Sequence, residues 1–261
     1  MLSPDWPLSQ YLLGLVAVAV LALLVLRAAR KDRREFPRFK RLRSTKRRQA
    51  TFRTWLLESL LTFGGGSVVL LAIAGGYAPR LIEAVRQTPP GRWWMSLLDS
   101  HGGLILVIAL SLAVLVVGGT ILLVYLARNT EEVPTIGDVA ALLPRNRQEL
   151  RYGAALSINA GVVEELLFRL AFPAVLFGAT ASVTVAIVGS VLVFGLLHAY
   201  QGVWGVLGAT LIGGFLMLLY LASGSILVAI VAHALIDLRS LVLIPAVVYR
   251  VHRPAAARTV A

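Results

Sequence analysis

Three ionisable side chains, Glu164, Glu165 and Arg169, lie inside an apolar run, residues 157–178, that is long enough to cross a bilayer. A charged side chain at bilayer depth costs roughly 2.5–3.5 kcal/mol on insertion scales. Such groups persist where they pair, face a water-filled cavity or do chemistry. On a helix, Glu165 and Arg169 are i,i+4 neighbours with the acid N-terminal, the better order for pairing. Glu164 then points about 100° away around the helix, without a local partner. The spacing predicts a Glu165–Arg169 clamp and a Glu164 free to act.

The surrounding sequence sharpens this reading. Between residues 152 and 238 the only acids are Glu164, Glu165 and Asp237, the only Lys or Arg is Arg169, and the only histidines are His198 and His233. All six fall into three short clusters, 164–169, 194–198 and 233–237. Charges scattered for solubility would not gather this way; a buried ion-pair network that only locks helix packing is the competing reading.

The chain has 261 residues, 58% hydrophobic and 15% charged, with a mean hydropathy of +0.80. Soluble domains carry about 25% charged residues, so the composition predicts an all-α, polytopic transmembrane helical bundle. No cysteine is present, which excludes disulfides, a thiolate nucleophile and thiolate metal ligands. Residues 27–53 hold thirteen Lys and Arg against Asp32 and Glu35, which is +11 of the formal +12. A basic run directly after an apolar span reads as a juxtamembrane cytoplasmic segment on anionic lipid headgroups. Nucleic acid is not an expected partner.

About seven spans are expected, at 9–26, 55–77, 104–126, 152–177, 181–199, 202–222 and 225–249. The first is expected to stay as a span, because its basic residues follow it rather than precede it as in a signal peptide. Positive-inside then puts the N-terminus outside and the C-terminus in the cytoplasm of a cell membrane. Gly64, Gly65 and Gly66 read as a helix-packing surface. Residues 78–103 read as a polar, proline-broken loop holding a surface His101, and 136–143 as a short amphipathic helix. The chain divides into N-terminal spans, residues 1–150, with the basic segment 27–53, and a C-terminal core, residues 151–253, with the intramembrane ionisable groups.

Phe194 and His198 share a helical face, as do His233 and Asp237, each at i,i+4. A carboxylate and two imidazoles from three helices can activate water and stabilise an oxyanion. They can equally bind a divalent metal that acidifies water. Other intramembrane hydrolase designs are missing. His198 is followed by Ala199 and Tyr200, and His233 by Ala234 and Leu235, so no His-Glu-x-x-His motif exists. Leu221-Ala222-Ser223-Gly224 lacks the first glycine of Gly-x-Ser-Gly, and Asp237 has no aspartate to form a dyad with. Glu164 is the best water activator in the chain.

The motifs Glu164-Glu165-x-x-x-Arg169, Phe194-x-x-x-His198 and His233-x-x-x-Asp237, in that order on separate helices, resemble the CPBP family, also called Abi. It comprises type II CAAX prenyl endopeptidases and bacteriocin-processing or immunity proteins. The likeness covers roughly residues 150–240. It implies an intramembrane endopeptidase acting on a membrane-associated peptide or protein. Glu164 would activate water with help from His198, and His233 with Asp237 would form the oxyanion site. Glu165 and Arg169 would hold the geometry, and Phe194 would pack beside it. The resemblance leaves open a metal-dependent route, with zinc or another divalent ion on Glu164, His198, His233 and Asp237, and a metal-free glutamate route. The family more often has Asn where Asp237 stands, and Asp donates a hydrogen bond only when protonated. The alternative function is a non-enzymatic membrane scaffold or bacteriocin-immunity-type protein with the same fold. A transporter or proton relay is a third reading, disfavoured by the lack of an internal repeat.

Overall fold

The computed structural model describes residues 2, 6–99, 103–127, 137–247 and 251. His101, Ile136 and the residues after 251 lie outside these. Among the described residues the chain is helical and without strands. We name nine helices: α1 (Ser9–Lys40), α2 (Thr45–Ala74), α3 (Tyr77–Gln87), α4 (Pro89–Leu98), α5 (103–127), α6 (147–180), α7 (Val183–Leu196), α8 (Ala199–Ser223) and α9 (Ile226–Val247). Helices α1, α2, α8 and α9 are long and apolar enough to cross a membrane. The all-α bundle agrees with the composition.

Several boundaries differ from the hydropathy reading. Helix α1 does not stop where charge begins but runs on to Lys40, and α2 starts at Thr45. The basic segment is therefore the folded end of a helical hairpin. Residues 78–103 hold two helices instead of a broken loop. Prolines 89 and 90 occupy the first turn of α4, where a missing N–H costs nothing, and the Thr88 hydroxyl accepts from Gly91 N. Only one 3₁₀ turn, Ala140–Leu142, forms in the described part of the expected amphipathic helix. Helix α7 has 14 residues and ends before His198.

Helix α6 is the axis of the bundle. Glu149, Gly153, Ser157, Gly161, Glu165 and Arg169 step along it at intervals of four, and all are buried. The small residues let α9 come close. A Cβ on Gly153 would sit 2.6 Å from Leu241 O, and one on Gly161 would sit 3.0 Å from Ile230 O. On another side of α6, α2 packs against its middle, and α1 packs along 172–180. The main core joins Leu13 and Leu24 of α1 to Phe168, Phe172 and Phe194, so both parts of the chain share it. Helix α9 is also tied to α5, where the Arg239 guanidinium donates to Gly119 O and Thr120 Oγ1.

The middle of α6, Leu166–Ala171, widens into a π turn. The cause is local. The Phe172 N–H goes to Leu167 O, and Pro173 has no N–H to offer. The Phe168 carbonyl instead accepts from the Ser190 hydroxyl of α7 at 2.7 Å. Ser190 is fully buried, so this bond fixes α7 against the widened turn.

The basic hairpin is locked to α6 by Arg48 and Glu149, both fully buried. Arg48 Nε lies 3.2 Å from Glu149 Oε1, and its other nitrogens donate to Ala141 O and Leu143 O. Glu149 also accepts from Arg145 N. Phe36, Phe39, Phe52 and Trp55 pack around this lock. Further out, Arg27 and Arg30 engage Glu35 and Glu58, and Lys40 pairs with Asp138.

Breaking one side of a buried pair strands the other charge, at a cost of about 3–5 kcal/mol. Arg48→Ala should therefore lower the Tm strongly in detergent. Arg48→Met combined with Glu149→Leu should recover most of that loss. Ser190→Ala leaves a buried carbonyl unsatisfied and should cost about 1–3 kcal/mol, measured by the same melt.

Candidate active site

Four helices supply the site. Helix α6 brings Glu164, Glu165 and Arg169; α7 brings Phe194; α9 brings His233 and Asp237; and α8 contributes the Gly213 carbonyl. His198 sits in the turn between α7 and α8.

Glu165 is fully buried, with one oxygen hydrogen-bonded and the other at ion-pair distance from a cation. Its Oε1 accepts from His233 Nδ1 at 2.6 Å, and its Oε2 lies 3.0 Å from Arg169 Nε. Arg169 Nη2 donates to Gly213 O at 3.2 Å, and its guanidinium lies over the Phe194 ring at 4.7 Å. Burying this cation is tolerable because it has a carboxylate, a carbonyl and an aromatic face around it. The α8 backbone reaches it because Gly213 lacks a side chain: a Cβ there would sit 2.7 Å from Phe194 Cδ1.

The hydrogen bond to Glu165 orients His233 and places a proton on Nδ1. Nε2 then faces Asp237, whose Oδ2 is 3.8 Å away and whose side chain is a third exposed. His198 is oriented in the same way by a different acceptor. Its Nδ1 lies 2.9 Å from Phe194 O, which leaves Nε2 with a free lone pair. The His198 ring packs between Phe194, at 5.0 Å, and Tyr200, at 6.2 Å.

Glu164 is the exception in this layer. It is half-buried and makes no side-chain hydrogen bond or ion pair among the described residues. It nevertheless lies within charge–charge range of His233, Arg169 and Lys31, and Asp237 lies within range of both Glu164 and His198. The seven residues singled out from the sequence thus gather in one place. No three His, Asp or Glu side chains among the described residues stand close enough to hold a metal ion. The four candidate ligands do not fit a metal in this arrangement.

Other contributors carried weaker sequence signals. The Gly153, Ser157 and Gly161 series steps at i,i+4 into Glu165 and was legible as a helix-packing stripe. Ser190 and Gly213 have no ionisable group to mark them. Lys31 was one basic residue among thirteen, and only the fold turns it toward Tyr200.

The locked pair and the free carboxylate should separate in a stability measurement. Arg169→Ala leaves Glu165 buried with His233 alone, and a loss of about 3–5 kcal/mol is expected. Glu164→Ala removes a half-buried carboxylate with no partner and should leave the Tm unchanged or higher. Thermal melts of both variants in one detergent compare them; an Arg169→Ala protein as stable as Glu164→Ala would remove the clamp assignment.

A family model described as type II CAAX prenyl endopeptidase Rce1-like matches residues 146–239, the stretch from the start of α6 into α9. No curated protein and no solved structure matches the chain. The family match covers every site residue and agrees with the motif order read from the sequence. The protein is a membrane protein whose C-terminal helical core, residues 146–239, is similar to the Rce1-like type II CAAX prenyl endopeptidase family.

Proposed function

We propose that the protein is an intramembrane endopeptidase in which Glu164 activates the water that attacks a peptide carbonyl. The observation that carries this reading is the division of labour between adjacent glutamates. Glu165 is spent on Arg169 and His233, whereas Glu164 makes no side-chain hydrogen bond or ion pair among the described residues and lies within charge–charge range of the oriented His233. The family of the core supports the same reaction class.

In this mechanism Glu164 takes a proton from water as the oxygen bonds to the carbonyl carbon. The free Nε2 of His198 accepts a hydrogen bond from that water and sets its line of attack. His233, held by Glu165 at Nδ1, presents protonated Nε2 to the developing oxyanion, and Asp237 borders the same spot. The C–N bond then breaks as Glu164 returns its proton to the leaving amine. The apolar helices around the site limit bulk water, which strengthens each of these interactions.

The substrate is a membrane-associated peptide or protein segment. The multi-pass bundle would sit in a cell membrane with the basic hairpin end on the cytoplasmic side. The exposed Arg33, Arg34, Arg38, Arg43 and Arg47 would meet anionic headgroups there.

Cleavage of a peptide library by the purified protein, read by mass spectrometry, tests the proposal. Glu164→Gln should lower kcat/KM by roughly 10²–10⁴, the range for losing a general base. His198→Ala should also lower it. Cleavage that survives in Glu164→Gln would reject the mechanism. If cells keep the function with both variants at normal protein levels, the scaffold reading would replace it.

A further inference from the structure

The first residue of a second π turn lies next to the site, outside the stretch matched by the family. Lys31 opens the widened segment Lys31–Glu35 of α1. A π turn inserts an extra residue and so re-aims the side chains that follow the regular helix. Here it accompanies an inward-facing lysine. Lys31 Nζ sits 4.1 Å from the centre of the Tyr200 ring and 5.5 Å from that of Trp55. Tyr200 in turn stacks on His198 with an interplanar angle of 26°. Lys31 is therefore one aromatic ring away from a site histidine.

The neighbouring acids are committed elsewhere. Glu35 and Glu58 are held by Arg27 and Arg30, Asp138 by Lys40, and Glu149 by Arg48. Trp55 Nε1 also donates to Glu35. Lys31 makes no ion pair or hydrogen bond among the described residues, and its ammonium is half-buried against two rings. Three N–H donors on a cation-holding aromatic seat, with no anion of their own, form a receptor for one. Glu164 lies within charge–charge range, yet no ion pair joins the two. The ammonium thus adds positive charge to the surroundings of the proposed water activator without pairing with it.

We propose that Lys31 is a specificity-determining residue that takes a carboxylate of the peptide substrate close to the scissile bond. The carboxylate is either an acidic side chain or the free C-terminus. This inference rests on the protease reading and adds the substrate's charge to it. The cation–π contacts keep the ammonium in place before substrate arrives, which lowers the ordering cost of binding.

The test uses full-length protein in nanodiscs of zwitterionic lipid, with membrane-anchored peptides made in matched forms. One form carries Asp or Glu within three residues of the cleavage point, a second carries Asn or Gln there, and a third has an amidated C-terminus. Wild type should cut the carboxylate form roughly tenfold better than the matching neutral form, the scale of one hydrogen bond to a charged group. The form whose neutralisation removes the preference identifies the carboxylate. Lys31→Gln should lose the preference through KM while cutting neutral peptides as wild type does, and Lys31→Glu should reverse it. Binding of the same peptides to the Glu164→Gln protein, read by fluorescence anisotropy, supplies a readout without cleavage. A carboxylate preference in binding that depends on Lys31, with no cleavage by wild type, would overturn the protease reading and leave the receptor standing. Cleavage with equal rates on charged and neutral peptides would overturn the receptor and leave the protease reading standing. An equal loss on both forms in Lys31→Gln would reduce Lys31 to a structural role. A Lys31 effect seen only in anionic nanodiscs would assign its ligand to lipid phosphate instead.

Discussion

A single buried carboxylate sets the geometry of the site. Glu165 faces Arg169 with one oxygen and His233 with the other, and both distances are at or below 3.0 Å. A buried ion pair is seldom a net source of stability, because desolvation consumes most of the attraction. What it supplies here is direction. One residue fixes a guanidinium that reaches the α8 backbone and an imidazole on α9, so three helices take their relative positions from it. A carboxylate used this way is unavailable for proton transfer. Its neighbour Glu164, turned about 100° on the same helix, is spared that work.

That carboxylate can reach its partners because the backbone around it is unusual in two respects. The small residues Gly153, Ser157 and Gly161 bring α9 close enough for His233 to meet Glu165 over a 2.6 Å bond. Immediately after Glu165 the helix widens into a π turn, and the carbonyl freed by Pro173 is taken up by Ser190. The same bond docks α7, which carries Phe194 and leads to His198. Close packing and a local backbone irregularity therefore serve one end: four elements converge on a half-buried carboxylate. The Arg48–Glu149 lock repeats the logic at the other end of the stripe and attaches the basic hairpin to the site helix.

Much of this was legible in the sequence, for definable reasons. Ionisable groups in apolar helices are costly, so Glu164, Glu165, Arg169, His198, His233 and Asp237 stood out without any structure. The i,i+4 relation of Glu165 and Arg169 follows from helix geometry alone. The sharing of Glu165 with His233 does not, because it depends on how closely α6 and α9 pack. The helix ends were harder. Hydropathy falls at Arg27, but α1 continues because Arg27 and Arg30 are neutralised by Glu35 and Glu58 and the aromatic cluster covers the rest. Pro89 and Pro90 read as breakers, whereas at a helix start they are compatible with the turn they open. Lys31 was invisible, because nothing in a run of thirteen basic residues says which one the fold turns inward.

With Glu165 holding His233 and Glu164 left free, the proton between Glu165 and His233 reports directly on the division between the two glutamates. Nitrogen-15 NMR of histidine-labelled protein in nanodiscs can resolve a strongly deshielded Nδ1 proton on His233. This proton should be present in wild type, persist in Glu164→Gln and disappear in Glu165→Gln. A signal that survives Glu165→Gln but is lost in Glu164→Gln would exchange the roles of the two glutamates and overturn the assignment of Glu164 as the free carboxylate.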